Sequence, residues 1–281
     1  MTLSDHVAPR LTTDQHPSPR ARSASLLGWE RFLVGTFSVG AFFALWEVAV
    51  RSGALDPMFV SSPTRIALVA SDLIHEPDFW RDLRVSSTEF IYGYLFAIII
   101  GIPLGLMVGM SRRLHYLLGP IIDMMNAVPR VTFLPILVLW FGIGLWSKFA
   151  VVFLGAVIPI LISSYSGVRT NEARFLKVAR SFSASRLKVF TSIILPGTVP
   201  FIFTGLKYAS GRALLGVVVG ELYAATAGIG HMIAQAGNTF QTDVMFFGIL
   251  LFTVAGVTIT SILDRIERHF ERWRPPAGEP S

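Results

Sequence analysis

The chain has 281 residues, 52% hydrophobic and 15% charged, with a mean hydropathy of +0.59 and a net charge of +6. Soluble globular domains carry about 25% charged residues, so this composition is that of a membrane protein. The absence of cysteine excludes disulfide frameworks and thiolate metal sites.

Residues 1–28 are polar, with scattered Pro, Ser and Arg and no apolar run after the first Met. They read as a disordered cytosolic tail, not a signal peptide. The remainder reads as an all-α polytopic protein, with a transmembrane domain over 29–274 and a C-terminal tail over 275–281. About 20 apolar residues in a helix cross a bilayer core. Six stretches reach that length: 32–50, 90–110, 120–143, 149–168, 197–221 and 244–263. The second, fourth and sixth carry no charge; the first carries Glu47, and the fifth carries Lys207, Arg212 and the terminal Glu221. The third contains Asp123, Arg130, Pro120, Pro129 and Pro135, and its prolines predict a kinked or broken helix. Between the first two, Ser62-Pro63 is a helix start, and Ile66, Ala67, Val69, Ala70 and Leu73 follow at helical spacing. A short interfacial helix is expected there.

Six crossings put both termini on one side. With that side as the cytosol, the inside segments hold 16 Lys and Arg against 5 outside. The positive-inside rule therefore predicts cytosolic termini, and the bias explains the basic charge without nucleic acid.

The segment Glu172–Pro196 joins the fourth and fifth stretches. Phe175, Val178, Ala179 and Phe182 recur at i, i+3, i+4, i+7, with Arg174, Lys177, Arg180 and Ser181 on the other side. This predicts an amphipathic helix over about 172–185, too charged to cross a membrane. The pattern alone suits either lipid headgroups or a soluble partner.

The spacing around that helix resembles the cytosolic loop of permease subunits of bacterial ABC importers, E-A-A-x3-G-x9-I-x-L-P. Lys177, Val178, Ala179, Ser183, Ile193, Leu195 and Pro196 fall on its positions; Lys177 stands where Glu is usual and Ser183 where Gly is usual. "GIPLGLMVGMS", "PRVTFLPILVLWFGIG", "IILPGTVPFIFTGLK" and "VVGELYAATAGIGHMI" resemble the nitrate, sulfonate and taurine branch of these permeases, with Leu214 in place of a common Trp. The resemblance implies a coupling helix whose contacts with an ATPase subunit involve Glu172, Phe175, Lys177, Val178, Ala179, Arg180, Phe182, Ser183, Leu195 and Pro196. It also implies a bacterial inner-membrane location, a second copy of the chain and an extracytoplasmic solute-binding protein.

The residues agree that the motor lies elsewhere. A phosphate-cradling G-x-x-x-x-G-K-[ST] loop needs a Lys after Gly, and Lys148, Lys177, Lys188 and Lys207 all lack one. No H-E-x-x-H or G-x-S-x-G constellation is present, so the chain reads as a pore component without catalytic or metal-ligating residues of its own. ATP and Mg are expected on the partner ATPase.

Charges at membrane depth face protein or water. Arg130 and Arg212 are the candidates for drawing an anion along the pathway, with Asn126 among the polar lining residues Thr132, Ser163, Ser164 and Tyr165. Lys207 points about 140° away from Arg212 and reads as structural. An Asp123–Arg130 ion pair is the alternative for Arg130. Glu221, before the Gly228–Gly230 turn, reads as an outer gate or docking surface, or as an interfacial carboxylate in water. Gly101, Gly105 and Gly109 allow close helix approach, within one subunit or between two. The expected solute is a small anion such as a sulfonate, nitrate or a related organic acid. A neutral heterocyclic vitamin precursor is the alternative within this transporter type, and an ion-driven secondary transporter is the alternative class.

Overall fold

A computed structural model describes the backbone over residues 20–181 and 185–270 and the side chains over 33–170, 185 and 188–270. Among these residues every regular element is helical. In chain order they are α1 (Arg20–Arg51), α2 (Pro63–Leu73), α3 (Pro77–Met110), α4 (Arg112–Ala127), a 3-10 turn (Arg130–Phe133), α5 (Leu134–Phe141), α6 (Leu145–Ser181), α7 (Arg186–Val189), a π turn (Phe190–Ile194), α8 (Leu195–Ala224), α9 (Ile229–Asn238) and α10 (Thr242–Phe270). Residues 1–19 of the predicted tail and the C-terminal tail over 275–281 lie outside the described residues.

The glycines set the packing. Gly93 faces Val152, Gly101 faces Ile160, Gly105 faces Ser164 and Gly109 faces Val168, an offset of 59 residues each time. A constant offset means that α3 and α6 run parallel. Against α8 the relation is a constant sum: Gly205 meets Ser163, Gly216 meets Val152 and Gly220 meets Lys148, each pair of numbers adding to 368. So α6 and α8 are antiparallel. In lipid no hydrophobic effect drives helices together, and close backbone approach at small residues supplies the packing instead. The Gly101–Gly105–Gly109 stripe is accordingly buried within the chain. Ala97, Val152, Ala156, Ile160, Ala209, Ala213 and Val217 fill the same seam and are fully buried.

Parallel α3 and α6 have a topological consequence. The linker between them must return the chain to the opposite end of the bundle. α4 alone is about 24 Å long and α5 about 12 Å, each short of a bilayer core. The two arms are bent by 91°, with the Pro129 break and the 3-10 turn between them. Together they make one broken crossing, as the three prolines predict, although it starts at Arg112 rather than near Pro120. Gly142, at φ +76, ends α5 in a conformation that favours glycine. With α1, α3, α6, α8 and α10, each apolar and long enough to span, the count is six.

The loop expected over 51–89 is largely structured. Ser62 caps α2 through its hydroxyl and Pro63 takes the first helical position, where the sequence places them. The charge of the first stretch is explained there: Glu47 of α1 accepts from the Thr64 backbone N–H at 3.0 Å and from its hydroxyl at 2.6 Å. A carboxylate at a helix N-terminus is favoured by the helix dipole. Asp243 of α10 holds α2 through Arg65 at 2.9 Å and Ser61 at 2.6 Å. Residues 77–89 are the first turns of α3, started by Pro77 with Asp78 in the first turn. Trp46 meets Phe246 at 5.7 Å, which sets the end of α1 beside the start of α10. Both the start of α1 and the end of α10 therefore lie at the end of the bundle that holds Arg112, opposite Glu221.

The seam predicts a contrast. A Cβ at Gly105 would lie 2.7 Å from Ser164 Cβ, whereas one at Gly40 meets nothing within 4 Å. Gly105→Val is expected to lower stability by about 1–3 kcal/mol and Gly40→Ala to leave it unchanged, read from the thermal unfolding of the detergent-purified protein.

Candidate functional site

Two layers of charge cross this bundle, and they differ in how well they are satisfied. The first is at the Glu221 end. The offset of 59 and the sum of 368 put Glu89 of α3, Lys148 of α6 and Glu221 of α8 at one level. Lys148 and Glu89 form an ion pair with both side chains almost fully buried. The Glu221 carboxyl lies close enough to Glu89 to interact with it. Glu221 is itself fully buried, so it is not a carboxylate in interfacial water.

Glu221 accepts from Ser86 Oγ at 2.7 and 2.9 Å and from the Gly230 N–H at 2.7 Å. Ser86 Oγ in turn accepts from the Ile229 N–H at 2.8 Å, and Asp82 accepts from the Gly228 N–H at 3.0 Å. These bonds seat the first residues of α9 on α3 and α8. Gly228 sits at φ +127 with its α-carbon against the Glu221 carboxylate, where a Cβ would collide. The glycine is required twice, for its backbone angle and for the space.

The second layer lies lower. The Arg212 carbonyl abuts Gly155, seven residues along α6 from Lys148 and so about 10 Å beneath the first layer. Arg130 sits in the 3-10 turn at the break, and the adjoining Phe133 and Leu134 pack with Val151 and Leu154 of the same stretch of α6. The two predicted arginines thus lie within electrostatic range of each other. Arg130 is 8% exposed, donates to Asn126 Oδ1 at 3.0 Å, and leaves its buried Nε without an acceptor. Asp123, the alternative partner, is exposed and makes no ion pair with it. Arg212 donates to the Tyr208 hydroxyl at 2.5 Å and lies 5.0 Å over that ring. Among the described residues neither arginine makes a salt bridge. Lys207 by contrast pairs with Asp264 and Glu267 of α10, the structural part expected for it. Thr132 and Ser164 donate to the Pro129 and Ile160 carbonyls of their own segments.

The coupling residues meet the structure only in part. The side chains of Glu172, Phe175, Lys177, Val178, Ala179 and Arg180, and all of Phe182 and Ser183, lie outside the described residues. Leu195 and Pro196 open α8, with Pro196 in the first turn where its missing N–H is harmless. α7, the π turn and α8 follow one another without a break from Arg186 to Ala224.

Sequence reasoning missed Asp82, Ser86, Glu89 and Lys148. Their segments read as loop because the charges interrupt the apolar runs. The signal available was the glycine pattern, which fixes the register, but only once the partner helix is known.

Residues 101–274 match the family described as binding-protein-dependent transport system inner membrane component. The chain is 31% identical over 88% of its length to a putative aliphatic sulfonates transport permease protein of Bacillus subtilis, covering 88% of that protein. It is 30% identical over 85% of its length to the taurine transport system permease protein of Escherichia coli, covering 88% of that protein. In fold it is similar to a chain of the MetNI methionine ABC transporter solved in an inward-facing conformation, with a TM-score of 0.62, 20% identity, and coverage of 70% of this chain and 99% of that one.

The upper layer is directly testable. Lys148→Met leaves two buried carboxyls without their cation and is expected to destabilise by about 3–5 kcal/mol, while Lys148→Met combined with Glu89→Leu recovers much of the loss. Thermal or denaturant unfolding of the purified single and double variants measures this; a double variant no better than the single one contradicts the pairing.

Proposed function

The chain belongs to the family of binding-protein-dependent transport system inner membrane components, and we propose the cargo, the route and the assembly through which this member works. As such a component it is the solute-translocating membrane subunit of an ABC importer and is not itself an enzyme; an ATPase chain and a solute-binding protein complete the system. The cargo is a small anion of the sulfonate, nitrate or organic-acid kind. The observation that carries this reading is the lower layer: two arginines at membrane depth, one of them buried, with no carboxylate to neutralise either among the described residues. Such charges face protein or water at membrane depth, and an anionic guest supplies the countercharge that the described residues do not. The sulfonate and taurine permeases to which the chain is similar carry anionic or zwitterionic sulfonates by name, in keeping with that chemistry.

The route passes Arg130, Arg212 and Asn126 and ends at the Glu221 layer, which closes the bundle on the side of the solute-binding protein. Two copies of the chain face each other across the path. Tyr208 supports this arrangement: it is 58% exposed on α8 beside Arg212, a polar face unsuited to lipid. The Arg112 end faces the cytosol. There the basic residues concentrate, and Lys148, counted with the sparse end, is neutralised inside the bundle. The membrane is the bacterial inner membrane.

Alternating access follows from one mechanical fact. The run from Arg186 to Ala224 is helical throughout and carries Arg212 and Glu221 on the same rod as the residues just after the coupling segment. Closure of the ATPase pair against the segment over 172–185 tilts that rod, moving the cation layer and the Glu221 layer together.

Two measurements test this. In vesicles containing the complete complex, uptake is expected to require ATP and to persist when the proton gradient is collapsed; loss of uptake under that condition supports an ion-driven carrier instead. Lys177→Glu is expected to lower solute-stimulated ATP hydrolysis by about tenfold, one unit of charge-pair energy near 1.4 kcal/mol; unchanged coupling rejects a contact between Lys177 and an acid on the ATPase.

A further inference from the structure

A cleft of about 250 Å³ lies between α3 and α10. α3 lines it with Leu83, Ser87 and Ile91, and α10 with Leu251, Ala255 and Ile259, both sets at i, i+4, i+8. Each stripe runs for about 12 Å, most of the roughly 15 Å hydrocarbon depth of one leaflet. Leu214 and Val217 of α8 and Ile229 of α9 complete the wall. Toward the start of both helices, Phe79 packs on Phe247 at 5.8 Å and closes α3 onto α10. Ser87 and Ile91 are exposed, so the cleft opens sideways. An apolar cavity does not hold water, and one of about 150 Å³ already takes up benzene. Leu214 stands about 200° around α8 from Arg212, so the cleft and the proposed solute route lie on different sides of that helix.

The α3 face beyond the opening supplies the polar half of a ligand site. Trp80, Arg84, Ser87 and Ile91 recur at i, i+4, i+7, i+11 and so share one face. Trp80 and Arg84 are both exposed. From the start of α3 inward, this face reads aromatic, cationic, hydroxyl, apolar. Trp side chains concentrate at the headgroup level of a membrane. The nearby Arg81 is paired with Asp78 at 2.9 Å, whereas Arg84 makes no salt bridge among the described residues. We propose that the cleft is a phospholipid site, with one acyl chain between α3 and α10 and the phosphate on Arg84. A guanidinium fork engages two phosphate oxygens at once. An empty cleft forfeits dispersion contacts that a chain restores. The chain lies against Ser86 and Ile229, whose 2.8 Å bond seats α9. The bound lipid therefore braces the Glu221 layer from outside the solute route.

The test uses the full-length chain in complex with its ATPase, purified and delipidated in detergent. Its unfolding midpoint is titrated with dioleoylphosphatidylglycerol and with dioleoylglycerol, which keeps the chains and lacks the phosphate. The expected result is a saturable rise with the phospholipid, and a half-saturating concentration about fivefold higher for dioleoylglycerol. Arg84→Gln raises the phospholipid value by about fivefold, to that of dioleoylglycerol, and leaves the latter unchanged. Ala255→Phe fills the cleft and abolishes the rise, while Val254→Phe, on an exposed position of the same helix, titrates like the wild type. Should Ala255→Phe fail to assemble, the exposed Arg84→Gln still decides the matter. Three results overturn the site: no saturable response to the phospholipid, a wild-type titration in Ala255→Phe, or equal responses to both lipids that Arg84→Gln does not alter. Loss of a dimer of this chain in Ala255→Phe, with the lipid response intact, also overturns it and assigns the cleft to a second copy. The readout is stability and not uptake, so failure of the site leaves the importer reading untouched.

Discussion

The placement of α6 between α3 and α8 is the constraint from which the other features follow. Helices in lipid gain little from burying apolar surface, so their register depends on where backbones can approach. Here Gly93, Gly101, Gly105 and Gly109 on one side and Gly205, Gly216 and Gly220 on the other leave α6 one fitting position along its axis. That position brings Glu89, Lys148 and Glu221 to the same level and puts Arg212 a few turns below them. It also makes α3 and α6 parallel, which obliges the intervening chain to cross the bundle. The crossing is broken at Pro129, and the 3-10 turn at the break carries Arg130. One packing decision thus orders the crossings, closes one end and assembles the cation pair.

The charges inside the bundle sort by whether the chain itself satisfies them. Glu47 caps α2, Lys207 joins α8 to α10 through two acids, Glu221 is held by Ser86 and the Gly230 N–H, and Glu89 has its Lys148 ion pair although its buried oxygens accept no hydrogen bond. Removing a charge from water is expensive, and these groups recover stability through direct partners. Arg130 and Arg212 have only neutral acceptors, Asn126 and Tyr208.

The mechanical link is short and continuous. A π turn normally interrupts a helix by widening one turn without breaking the rod, and such turns recur at functional positions. Between Arg186 and Ala224 the helical run persists through it, over about 58 Å at 1.5 Å per residue. Arg212 and Glu221 therefore lie on the same helical run as Arg186, with Pro200 inside it.

Composition and hydropathy alone established a polytopic helical protein, the six crossings, the broken third one and the start of α2 at Ser62-Pro63, because these depend on local rules: apolar length, the lost N–H of proline and the chemistry of caps. The stretch from Lys177 to Pro196 carried the resemblance to ABC importer permeases, and it was legible because that motif is contiguous. Arg130 and Arg212 were visible as misplaced charges, for membrane depth is a property of position along the chain. What no local rule supplies is which charges meet. Lys148 and Glu89 are separated by 59 residues and looked like loop residues at opposite edges of two spans. Asp123 was as good a partner for Arg130 as Asn126 until the helix bent. Those outcomes were decided by helix register and by the angle at Pro129, and both are set by contacts between elements distant in sequence.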